Sequence, residues 1–195
     1  MVLLLSYLLL AIVISFLCSV LEAVILSVTP SYISIRLQAG KNYARELKRF
    51  KDNIDKPLAG ILTLNTFAHT IGAAGVGAQA QVIWGNEYLS LTSAILTLII
   101  LIFSEIIPKT IGATHWKSLV PFSVYAIKTI LLILYPFVVL SQYITRFFKK
   151  DGERSVLSRY EVSAMAEMGA KQGVFKSGES RIIQNIAKFD KLETR

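Results

Sequence analysis

A chain of 195 residues that is 53% hydrophobic and only 17% charged is too apolar for an ordinary soluble domain and reads as a membrane protein. Its net charge of +8 does not mark a nucleic-acid binder, because the Lys and Arg residues stand in short clusters flanking apolar segments, as topology-setting charges do. The single cysteine, Cys18, lies in the first apolar run, excludes an internal disulfide and reads as a packing residue.

Four apolar segments follow in chain order, 2–28, 58–83, 89–107 and 119–148. The first has no basic residue before Glu22 and is long enough to span, so it is expected to be a permanent transmembrane helix rather than a signal peptide. Between the first two segments lie Arg36, Lys41, Arg45, Lys48, Arg49, Lys51 and Lys56, which the positive-inside rule assigns to the cytoplasm, leaving the amino terminus outside. Tyr32, Ile35, Leu37, Tyr43 and Leu47 among those charges suggest short interfacial helices.

The next connection, Trp84-Gly85-Asn86-Glu87-Tyr88, carries no Lys or Arg and is expected to face outward. The third segment then returns Lys109, His115 and Lys117 to the cytoplasmic side. A fourth crossing would strand Arg146, Lys149, Lys150 and Arg154 outside, and Pro121, Lys128 and Pro136 interrupt the helix. The expectation is a re-entrant or membrane-hugging helical hairpin, an ordinary kinked span being the alternative.

From Asp151 the composition becomes that of a soluble segment. Ser158-Arg159-Tyr160-Glu161 fits a capping box for a helix running to Gly173, and Ser177-Gly178-Glu179 starts another carrying Ile182, Ile183, Ile186 and Phe189. The fold class is therefore an all-α membrane protein: three transmembrane helices with a juxtamembrane belt over 1–150, then a small cytoplasmic helical bundle over 151–195.

The polar residues inside the apolar segments carry the chemistry. Ser15, Ser19 and Glu22 fall on one face of the first helix, and Asn65 and His69 stand one turn apart in the second. Serine and asparagine in such helices also serve as packing and hydrogen-bonding residues, and His69 suits a structural hydrogen bond better than a hard metal. Gly72, Ala73, Ala74, Gly75, Gly77 and Ala78 read as a close helix interface, within or between protomers.

In Ser104-Glu105-Ile106-Ile107-Pro108-Lys109, proline removes a backbone donor, so carbonyl oxygens are expected to be freed beside Glu105. An oxygen-only donor set suits Mg2+ or Ca2+. Lys109 can snorkel to the interface or pair with Glu105 when no ion is bound; the interfacial role is the expectation.

Ser15, Ser19-Val20-Leu21-Glu22, Ser27, Asn65 and Ser104-Glu105-Ile106-Ile107-Pro108-Lys109-Thr110 together resemble the transmembrane domain of the CNNM/CorC magnesium transporters. The resemblance implies a homodimer in the cell membrane, in contact with lipid, that exports Mg2+ in exchange for Na+. Ser15, Ser19, Asn65 and Glu105 with carbonyls near Ser104 would hold the ion, Pro108 and Lys109 would mark the helix break and gate, and Glu22 and His69 are candidates for a coupling-ion site. It also implies a following pair of CBS modules, so that Asp190 to Arg195 reads as a point of truncation. The rival readings are a membrane Mg2+ sensor or scaffold without transport and, on weaker grounds, an intramembrane enzyme using Glu22, His69 and Glu105; no His-Glu-x-x-His motif supports the latter.

Overall fold

The computed structural model describes residues 1–148, 159–171 and 177–188, and all regular structure among them is helical. Helix α1 (Val2–Ser27) ends where Val28 turns extended; Thr29 then accepts the Tyr32 N–H at 3.3 Å, and Pro30 opens α2 (Pro30–Gln38) in the first helical turn, where its missing donor costs nothing. Helix α3 (Asn42–Asp52) folds back beneath α1, and Lys51 Nζ donates to the carbonyls of Ile25 and Leu26 at 3.2 and 3.4 Å. A cation thereby meets the unsatisfied, electronegative end of α1.

Helix α4 (Asp55–Trp84) runs antiparallel to α1. Ala11 lies against Gly72, Ser15 bonds to His69, and Leu4 shares an apolar cluster with Val76 and Ala80, so positions rise along one helix as they fall along the other. At Gly85 the backbone takes φ 82°, a conformation open to glycine, and the chain reverses through a 3-10 turn (Asn86–Tyr88). The third helix follows as α5 (Leu89–Ile99), a π-helical segment (Ile100–Ile106) and α6 (Ile107–Thr114). It runs parallel to α1, with Ser104 beside Ser19 and Gly112 beside Val20 and Ala23.

Helices α7 (Trp116–Ile133) and α8 (Tyr135–Phe148) complete the first compact unit, Met1–Phe148. By length and composition, three helical runs are apolar enough to cross a membrane: α1, Asn86–Thr114 and α7. The expected second span differs from this set, because Asn65, His69, Gln79 and Gln81 dilute the apolarity of α4. Yet α4 has 30 residues, about 45 Å of helix at 1.5 Å per residue, and lies along α1.

Packing places α7 otherwise than its composition. Its first residues meet α2, where Tyr32 stacks edge-on against Trp116 and donates to the Lys117 carbonyl at 3.2 Å. Its last residues, Ile130 and Leu131, lie against Gly60, less than two turns from the start of α4. Both ends of α7 therefore sit at the α2–α3 end of the helices, and α7 lies across them as a belt. Its inner face, Val120, Val124, Ile127 and Ile130, completes the main core with Leu21, Val24, Ile25, Leu47 and Ile61.

In the second unit, Lys149–Arg195, α9 (Arg159–Lys171) and α10 (Ser177–Lys188) pack on each other. Ile182 and Ile186 of α10 are exposed, as are Met165 and Met168 of α9. The capping residue Ser158, the helix end at Gly173 and Phe189 lie outside the described residues.

Candidate cation site

Pro108 organises the site through what it lacks. An α-helix would bond the N–H of residue 108 to the Ser104 carbonyl, and proline has no N–H to give. The ladder widens to the π spacing over Ile100–Ile106, with the Ile107 N–H reaching back to the Ile102 carbonyl. The Ser104 carbonyl instead accepts a buried hydrogen bond from Ser19 Oγ of α1 at 2.6 Å. Ser104 Oγ donates to the Ile100 carbonyl at 2.8 Å, so it is the backbone oxygen of Ser104, and not its hydroxyl, that faces α1.

One turn back along α1, Ser15 Oγ and His69 Nε2 are hydrogen-bonded at 2.6 Å. Ser15, Ser19 and Ser104 are all buried. The antiparallel register that sets Ala11 against Gly72 and Ser15 against His69 brings Asn65 level with Ser19. Asn65 Oδ1 is buried and has no hydrogen-bond partner. A buried acceptor left unmet costs about 1–3 kcal/mol, so this oxygen suits a site where a donor or cation completes it.

The charged groups form a second layer toward the α2–α3 end. Lys109 Nζ lies 3.2 Å from Glu105 Oε2 and 3.5 Å from Glu22 Oε2. The expected interfacial role of Lys109 is thus replaced by a bridge between two carboxylates on two helices. The reason is geometric: Glu105 and Lys109 are four residues apart on one helical face, and α6 runs parallel to α1 at Glu22.

The two residues expected at a coupling site are therefore separated. His69 joins the hydroxyl of Ser15, and Glu22 joins Glu105 through Lys109. Among the described residues, no three His, Cys, Asp or Glu side chains gather as a metal cluster. Neutral oxygens with carboxylates in the adjoining layer suit a hard cation, and the one imidazole beside them is engaged with the Ser15 hydroxyl.

Gly112 also positions the site, and the sequence reading did not single it out. A Cβ there would stand 2.8 Å from both the Val20 carbonyl oxygen and Ala23 Cβ, so only glycine lets α6 lie this close to α1. The available signal was a glycine one turn beyond Pro108, on the helix that already carried the charged pair.

A family model described as the cyclin M transmembrane N-terminal domain (CNNM) matches residues 6–179. The UPF0053 protein sll1254 of Synechocystis sp. is 28% identical over 175 residues, covering 90% of this chain and 51% of that protein. A UPF0053 protein of Haemophilus influenzae is 27% identical over 155 residues, covering 76% of this chain and 37% of that protein. The chain spans about half the length of the first relative and just over a third of the second.

Proposed function

The chain belongs to the CNNM family of multi-pass membrane proteins, and from that premise we propose that it is the membrane part of a divalent-cation transporter that carries Mg2+. The observation that carries the proposal is the buried, unpartnered Asn65 Oδ1, level with the Ser19 hydroxyl that meets the carbonyl released by Pro108. Mg2+ demands near-octahedral oxygen coordination and sheds water reluctantly. Ser15, Ser19, Asn65 and the Ser104 carbonyl supply neutral oxygens, and Glu105 supplies the charge.

Ser19 can serve while keeping its present bond, since a hydroxyl donates its proton to Ser104 and retains lone pairs for a cation. Ser15 must share its oxygen with His69 or release it. A single carboxylate among neutral donors binds weakly enough for release, and the π-helical break is the place where the site can rearrange.

The finer parts of the proposal follow the family resemblance and the charge pattern. Efflux is coupled to Na+, the protein works as a homodimer in a cell membrane, and CBS modules follow in the full-length protein. The α2–α3 end, rich in Lys and Arg, faces the cytoplasm, so the pocket opens inward and the amino terminus lies outside.

Calorimetric titration of Mg2+ into the purified protein, beside folded Asn65→Ala and Glu105→Gln variants, tests the site. Binding lost in both supports it; binding retained in both overturns it. Mg2+ flux in vesicles then separates a transporter from a sensor, and flux unchanged when K+ replaces Na+ at fixed voltage overturns the coupling.

A further inference from the structure

The carboxylate assigned to the ion is already engaged. Lys109 stands between Glu105 at 3.2 Å and Glu22 at 3.5 Å, with its ammonium within reach of both. The two glutamates are 28% and 21% exposed at the side chain, so these charges interact more strongly than they would in open water. A divalent cation brought to Glu105 would face this ammonium at close range, and two cations cannot hold one carboxylate without strong repulsion.

Resting on the reading of Glu105 as an ion ligand, we infer that Lys109 is a tethered counter-cation: it neutralises Glu105 while no divalent ion is present, and transfers to Glu22 when one binds. Glu22 is then the resting place of the lysine rather than a ligand of the divalent ion. The lysine side chain is 44% exposed and flexible, and the two carboxylates differ in distance by only 0.3 Å, so the transfer needs a change of rotamer rather than of fold.

Because one lysine serves two carboxylates, their occupancies are opposed. With Lys109 on Glu22, that carboxylate is closed to other cations. A monovalent cation attracted to Glu22 sends Lys109 back to Glu105 and disfavours the divalent ion there. This antagonism between cations of two kinds is what an exchange reaction requires.

The test is Mg2+ calorimetry on the wild-type protein and on Lys109→Met, Lys109→Arg, Glu22→Gln and Lys109→Met/Glu22→Gln variants confirmed monodisperse and helical, each with and without Na+. Removing the lysine should tighten Mg2+ binding by about tenfold or more and blunt the competition by Na+, while Lys109→Arg keeps both near wild type. Glu22→Gln should weaken Mg2+ binding by confining Lys109 to Glu105, and the double variant should recover at least wild-type affinity.

If Lys109→Met binds Mg2+ no more tightly than a wild-type protein that does bind it, the tethered role is overturned and the site reading stands. Loss that persists in the double variant makes Glu22 a ligand and overturns the inference. Mg2+ binding that appears only after the lysine is removed supports it. Absence of binding in both wild type and Lys109→Met overturns the site reading, and this inference with it.

Discussion

Helix α1 meets its two long neighbours in contrasting ways. Toward α4, its amino-terminal half is apolar and close: Ala11 and Tyr7 lie against Gly72 and Gly75, and Leu4 joins Val76 and Ala80. Toward the third helix, its carboxy-terminal half is polar: Ser19 meets the Ser104 carbonyl, and Glu22 meets Lys109. Glycine permits close approach in both places, Gly72 in the first and Gly112 in the second. Small residues alone thus make a helix interface; the proposed cation site adds a broken backbone ladder beside them.

Enlarging the two glycines should separate these roles most sharply. Gly72→Leu drives a side chain into Ala11 Cβ, and Gly112→Leu drives one into Ala23 and the Val20 carbonyl, each expected to destabilise by about 3 kcal/mol. In thermal unfolding both variants lose stability, and Gly112→Leu, which acts on the α1–α6 approach beside Ser104 and Glu105, should lose more Mg2+ affinity in the fraction that remains folded than Gly72→Leu, which lies two turns from Asn65. Equal loss of binding in both would erase the distinction between a packing half and a binding half.

Pro108→Ala acts on the backbone ladder and also removes ring carbons from a fully buried position. It returns an N–H that can bond to the Ser104 carbonyl, so it should weaken Mg2+ binding about tenfold, comparable to one hydrogen bond, while the recovered helix bond offsets part of the packing lost with the ring. Undiminished affinity would mean that the released carbonyl takes no part in the site. The smallest effect belongs to Gly77, where an added Cβ meets nothing within 4 Å. Gly77→Ala should gain up to about 1 kcal/mol from helix propensity and leave binding unaltered, marking which glycines of α4 are needed for contact.

Much of this molecule was written in residue order. Apolar runs and the basic cluster from Arg36 to Lys56 announced an all-helical membrane protein, because burial of backbone in lipid leaves a helix as the way to satisfy its hydrogen bonds. Pro108 announced a helix break for an equally local reason, its missing N–H. Mean apolarity alone passes over α4 and selects α7, since it cannot tell a less apolar helix sheltered by a neighbour from an apolar helix laid across the ends of others; the charge pattern and prolines pointed instead to a crossing at 58–83 and a hairpin over 119–148.

What the chain determined alone were properties of single helices: their extent, their polar faces and the point where one must loosen. What only the tertiary structure decided were pairings between helices. Ser15 went to His69 rather than to an open pocket, and Lys109 went between Glu105 and Glu22 rather than to the interface. The physical reason is that a side chain's partner across a helix interface depends on register and separation, which here rest on the close approaches at Gly72 and Gly112.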